Sequence, residues 1–262
     1  MGVPNASTTT KGIWIHFSGS GGRGYDQKTD KYEDPLWLTE LMGEGYVVLQ
    51  IAYDNSISVN GGLCGPDTKG YTRDNCAGEV REIALTGKGT SPYRTTDIYN
   101  TIDYRLQALL IYLENKTNFE LPGDINPQNI DWSKLSVSGS SQGAGQAYYI
   151  AKQRSVAYAC LLSGGYDYPD TINPGNIDIA DWFTTGTSMT PISKIGALIA
   201  TTDERYENFL FGLTQVVGLP STQVIVADEK KYTNINGEKT GGHTATSKAP
   251  SLKDKRAEAC FK

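Results

Sequence analysis

Apolar positions along the chain fall into two rhythms. Gly12-Ile-Trp-Ile-His-Phe-Ser18 alternates and is rich in β-formers, which predicts a strand. Tyr46-Val-Val-Leu-Gln-Ile-Ala-Tyr53 is a nearly continuous apolar run, the pattern of a strand buried on both faces of a parallel sheet. Residues 135–138, 157–163, 195–201 and 222–227 predict four more strands. Helical stretches separate them. Pro35 to Gly43 predicts a short helix ending at Gly43 or Gly45. Beyond Thr95 or Thr96, the residues Ile98, Ile102, Leu106, Leu109, Leu110 and Leu113 keep helical spacing. Residues 142–154, 204–217 and 252–261 predict three further helices. Asp54 to Tyr93 and Gly164 to Thr190 read as irregular.

Strands alternating with helices imply an α/β fold with a mostly parallel central sheet covered by helices on both faces. The whole of 1–262 is expected to form one domain, since no composition shift separates two cores and no repeat or low-complexity tract interrupts it.

Charge narrows the function. The chain carries 24 Lys and Arg against 29 Asp and Glu, a net charge of −5, and its pI is about 5.1. A nucleic-acid binder would show a basic face, so that class is disfavoured. The longest apolar stretches are strand-sized, and none predicts a membrane span. A monomer is expected.

Cys64, Cys76, Cys160 and Cys260 include no C-x-x-C pair of the zinc or redox kind. Two disulfides are expected, Cys64–Cys76 across a polar loop and Cys160–Cys260 from a strand to the last helix. That pattern fits a secreted or periplasmic protein. Met1-Gly-Val-Pro4 lacks the basic-then-apolar order of a signal peptide, so on this reading the chain begins near a mature terminus. Asn5-Ala-Ser7 and Asn115-Lys-Thr117 match the glycosylation pattern, which is frequent by chance.

The chemistry centres on Gly139-Ser-Ser-Gln-Gly143, which fits G-x-S-x-G. A predicted strand leads in and a predicted helix leads out, the context in which a serine is held on a sharp turn at the carboxyl edge of a sheet. The helix N-terminus then favours negative charge developing there. Ser141, not Ser140, has glycines at both flanking positions.

A serine needs a base. The chain has only two histidines. His16 lies inside the first strand, where a hydrogen-bonded core role is expected. His243, in Gly241-Gly-His-Thr244, lies in a predicted loop after the last strand, within reach of the same sheet edge. Asp203, just past the 195–201 strand, is the expected acid, with Asp167 and Asp228 as rivals. The order is Ser141, Asp203, His243.

From about Lys11 onward the chain resembles the α/β-hydrolase superfamily, on Phe17-Ser-Gly-Ser-Gly-Gly22, Ser138-Gly-Ser-Ser-Gln-Gly-Ala-Gly145, Ala200-Thr-Thr-Asp203 and Gly241-Gly-His243. Ile125-Asn-Pro-Gln-Asn-Ile-Asp-Trp132 is similar to the lead-in many members have before the nucleophile strand. The resemblance implies an oxyanion hole made by the Gln142 N–H and an N–H of the turn after the first strand. Members often read His-Gly there; here Ser18 stands at the histidine. Ser20 is the expected second donor, with Gly19 or Gly21 as alternatives.

Gly19-Ser-Gly-Gly-Arg-Gly24 also fits the dinucleotide fingerprint G-x-G-x-x-G. No helix is predicted to open at once after it, and Asp54 lies too far along to serve as the ribose-binding acid. No cofactor is expected. Asp26, Asp30 and Asp34 only faintly resemble a calcium loop, so no metal is expected either.

These features predict a serine hydrolase that cleaves a small-molecule or polymer carboxylic ester in a fairly open cleft, with no separate cap domain. The segments at about 54–93 and 164–190, the latter with Tyr166, Tyr168, Trp182 and Phe183, are expected over the active-site edge. A peptidase or amidase on the same triad and a catalytically silent hydrolase-fold binding protein are the alternatives.

Overall fold

A computed structural model describes residues 10–22, 25–26, 31–32, 34–65, 75–116, 121–122, 125–167 and 179–261. β1 (Gly12–Phe17) leads through a glycine turn to a hairpin of β2 (Tyr25–Asp26) and β3 (Lys31–Tyr32), then to α1 (Pro35–Gly43) and β4 (Tyr46–Gln50). A π-turn at Val59–Leu63 precedes α2 (Cys76–Thr86) and α3 (Ile102–Lys116). β5 (Leu135–Ser140), α4 (Gln142–Gln153) and β6 (Tyr158–Leu162) form a strand-helix-strand unit. Next come α5 (Asp181–Thr184), β7 (Ile195–Ala200), α6 (Tyr206–Phe211) and β8 (Val224–Ala227). A second hairpin of β9 (Tyr232–Thr233) and β10 (Lys239–Thr240) leads into α7 (Gly242–Lys248) and α8 (Lys253–Cys260).

Six strands pair in the order β4-β1-β5-β6-β7-β8, every pair parallel. The register sets Phe17 opposite Gly139, and Leu162 opposite both Ser140 and Leu198. The carboxyl ends of β1, β5, β6 and β7 therefore lie at one edge.

Helices cover both faces. Ile13, Ile15 and Phe17 share one apolar cluster with Val80 of α2, Leu106 of α3 and Ala147 of α4. The alternate residue Trp14 belongs to the other cluster, with Trp37 of α1, Ala245 of α7 and Ala259 of α8. This is the period-two split expected when both faces are buried. Disulfides join Cys64 to Cys76 and Cys160 to Cys260, the second tying β6 to α8.

The structure departs from the sequence pattern in four places. Within 54–93 it forms α2, whose buried Ala77, Val80 and Ala84 keep helical spacing and whose stop is Gly87 at φ 73°. The regular part of the 102–116 helix begins at Ile102, after a 3₁₀ turn at Ile98–Asn100 that leaves Ile98 exposed. The 204–217 stretch breaks into α6 and a π-turn at Gly212–Val216. His243 is the second residue of helix α7 and not part of a loop. Among the described residues no helix is long and apolar enough to cross a membrane. Asn5, Arg23, Gly24, Asp30, Thr117 and Tyr168, and the side chain of Asp26, lie outside the described residues.

Candidate active site

Ser141 occupies the single residue between β5 and α4 with φ 56° and ψ −120°, a region that a side chain rarely adopts. The flanking glycines are there for space. A Cβ on Gly139 would stand 2.1 Å from the Gly143 carbonyl carbon, and one on Gly143 would stand 2.0 Å from the Phe17 carbonyl oxygen. Only two bare backbones let β5, β1 and α4 meet this closely.

The neighbouring Ser140 has a buried hydroxyl with no hydrogen-bond partner. Ser141 Oγ instead lies 2.8 Å from His243 Nε2, and His243 Nδ1 lies 2.7 Å from Asp203 Oδ2. The Asp203 side chain is fully buried, and its Oδ1 accepts the Arg205 N–H at 3.0 Å. A carboxylate only accepts, so Nδ1 carries the proton and Nε2 is left to accept from the serine hydroxyl.

The rival carboxylates are elsewhere. Asp167 is buried and takes two 2.7 Å hydrogen bonds from Arg81, with a third from Trp182 Nε1 at 2.9 Å. Asp228 is exposed and faces Lys255.

Gln142 starts α4, where the first amide of a helix has no partner within it. In the turn after β1, Gly21 N–H donates to Asn55 and Gly22 N–H to Gly19. That removes Gly21 as a free donor. Among the described residues the N–H groups of Gly19 and Ser20 make no backbone hydrogen bond. Ser20 is tied to Gln142 by its side chain: Ser20 Oγ donates to Gln142 Oε1 at 2.8 Å, and the same oxygen accepts Val59 N–H at 2.9 Å.

Sequence reasoning missed the groups that shape this turn. Asn55 Nδ2 clamps the Gly19 and Gly22 carbonyls at 2.6 and 2.8 Å, and the Tyr53 hydroxyl donates to the Ser18 carbonyl. Burial pushes the Tyr53 phenol well up, against the pull of nearby Arg81 and Arg94, so it stays a donor. Arg81 also supports the elbow, donating Nη1 to the Gln142 carbonyl at 3.2 Å.

His16 is fully buried, as a core role requires. Its Nδ1 lies 3.0 Å from Ser138 Oγ, which also receives Trp14 Nε1 and Trp37 Nε1. Its Nε2 lies 3.1 Å from Asp34 Oδ2, while Asp34 Oδ1 accepts from Ser247. Both Asp34 oxygens are thus engaged by protein groups. Burial alone would raise the Asp34 carboxyl. The hydrogen bond and attraction of His16, with help from Ser247, overcome that and hold it down at about 2.

A small cleft, about 30 Å³ in volume, opens beside Ser141 and Gln142. Ser20, Ser58, Asn60, Gly164, Tyr166, Arg205 and Phe209 are among the residues that line it. Trp182 and Phe183 are not in it; they pack against Tyr148 and Tyr149 in the interior.

No protein-family model matches the sequence, and no curated protein matches it. The solved structures it resembles are esterases and hydrolases of the α/β superfamily. One is a thermostable esterase, 12% identical at a TM-score of 0.43, over 97% of this chain and 56% of that one. Another is an α/β serine hydrolase without a lid from Xanthomonas campestris, 10% identical at a TM-score of 0.44, over 98% of this chain and 84% of that one. A third is acetyl xylan esterase 1 from a Thermoanaerobacterium species, 12% identical at a TM-score of 0.36, over 86% of this chain and 69% of that one. This chain thus spans little more than half the length of the first.

Proposed function

We propose that the protein is a serine hydrolase of carboxylic esters acting through an acyl-enzyme. The observation that carries this reading is the continuous relay from Ser141 Oγ through His243 to the buried Asp203, at 2.8 and 2.7 Å. Ser141 Oγ attacks the ester carbonyl carbon as its proton passes to His243 Nε2. Asp203 stabilises the imidazolium that forms. The oxyanion is met by the N–H of Gln142 and that of Ser20. Collapse expels the alcohol, which takes the proton from His243. Water then attacks the acyl-enzyme, giving its proton to His243, and Ser141 is released.

A small cleft with a polar side supports a short acyl group rather than a long lipid chain. The two disulfides support a secreted or periplasmic setting.

The test is p-nitrophenyl acetate hydrolysis together with fluorophosphonate labelling and peptide mapping. Turnover with an adduct on Ser141, both lost in Ser141→Ala, is the expected result. A folded protein with neither would point to a binding role, and turnover of peptide amides but not esters would point to a peptidase.

A further inference from the structure

The cleft beside Ser141 has three charged side chains among its described lining residues: Arg81, Asp167 and Arg205. Two of them cancel. Arg81 and Asp167 face each other through two 2.7 Å hydrogen bonds, both buried. The pair contributes no net charge to a ligand.

Arg205 differs. Its nearest acid is the adjacent Glu204, at 3.9 Å, beyond hydrogen-bond reach. The Glu204 side chain is 84% exposed, so water screens what attraction remains. The Arg205 guanidinium is itself only partly exposed, at 38%. Its backbone is fixed, because the Arg205 N–H donates to Asp203 Oδ1. The one uncompensated charge among the described lining residues is therefore a cation, on a backbone tied to Asp203.

The other polar lining side chains are neutral: Ser20, Ser58, Asn60, Ser141, Gln142 and Tyr166. A guanidinium offers a planar fork of donors that matches a carboxylate. Resting on the serine-hydrolase reading above, we infer that the preferred substrate is an ester bearing a carboxylate, which Arg205 receives while Ser141 attacks the carbonyl.

Two pairs, each an anionic ester and a neutral counterpart, test this and locate the carboxylate, with cleavage of the p-nitrophenyl or the acetyl ester followed. Mono-p-nitrophenyl adipate against p-nitrophenyl hexanoate places it on the acyl side. 4-Acetoxybenzoate against its methyl ester places it on the alcohol side. In one pair, kcat/KM for the anion is expected to exceed that of the neutral ester by about tenfold at low salt. Arg205→Gln is expected to bring that ratio close to one, with Arg205→Lys in between. In the unmodified protein, salt is expected to lower the rate for the anion alone.

A preference for the neutral ester in both pairs would overturn the inference. So would an Arg205→Gln variant that lowers both rates together and keeps the ratio, since the side chain would then act on the site without receiving the carboxylate. If Arg205→Gln does not fold, the salt dependence decides: equal salt effects on both esters overturn the inference. Absence of turnover on p-nitrophenyl acetate, with no adduct on Ser141, would instead bring down the hydrolase reading and this inference with it.

Discussion

Asp34 and Ser247 stand 213 positions apart in sequence and 2.7 Å apart in space. The bond joins the residue before α1 to α7, the helix whose second residue is His243. Arg256 reinforces the same junction by donating to Glu40 of α1 and to the Thr246 carbonyl of α7. The position of His243 is thus set from behind, by groups that do not line the cleft.

The ionised form of Asp34 should make stability pH-dependent. Its folded value of about 2 lies below the ordinary 3.8, so its contribution is present above about pH 4 and is lost as pH falls toward 2. The shift corresponds to about 2 kcal/mol. Asp34→Asn should therefore be clearly less stable than the unmodified protein at pH 5, with the gap narrowing by about that amount at pH 2. Denaturant titrations at the two pH values check this; an undiminished gap would mean the ionised form is not what matters.

Asp203→Asn should lower kcat roughly 10,000-fold with little change in the melt. An amide there donates toward His243 Nδ1, which forces the proton onto Nε2 and removes the acceptor that Ser141 needs. Steady-state kinetics beside circular dichroism would detect it.

Asp167→Asn should act on stability. It leaves Arg81 charged and unpaired in the interior, at a cost of about 3–5 kcal/mol. At this chain length that is a fall in Tm of about 10 °C. The double change Arg81→Met, Asp167→Leu should recover much of the loss, because an apolar pair carries no desolvation cost. A melt of the single variant that matches the unmodified protein would contradict the buried pair.

Gly143→Ala should be more harmful than a single methyl suggests. The new Cβ meets the Phe17 carbonyl at 2.0 Å, and neither β1 nor α4 can move without the elbow. Overpacking of this kind costs about 3 kcal/mol. Ser141 should also lose reactivity toward the fluorophosphonate in whatever fraction remains folded; labelling at the unmodified rate would show that the elbow tolerates the methyl.

The strand-turn-helix around Ser141 was legible because two separate local signals agree there, a β run and a glycine-flanked serine. The parallel sheet was legible for the same reason: continuous apolar runs such as Val47 to Leu49 admit few other environments. α2 was not. Its inner face carries Arg81, which reads as a surface residue until Asp167 is seen opposite it, 86 positions away. Asn55 was equally silent, since it clamps carbonyls more than 30 positions upstream and a lone polar residue in a loop has no period. Ile98 misled by sitting in helical register with Ile102 while the chain turned it outward. α7 was not legible around His243 because Gly241 and Gly242 give no helical signal; Gly242 lies inside the helix, where a Cβ would meet Thr202 and Asp203.

The Cys160–Cys260 bridge closes a covalent ring across a sequence separation of 100 residues. Asp203 and His243 both lie within that ring, and Ser141 lies outside it. A single peptide cut on the surface between β7 and α7, such as near the β9–β10 turn, would leave Asp203 and His243 on one molecule. Their alignment would then depend on packing and the bridge rather than on an unbroken backbone. In a medium rich in proteases, the crosslink makes the relay tolerant of one nick in that segment for as long as the bridge stays oxidised.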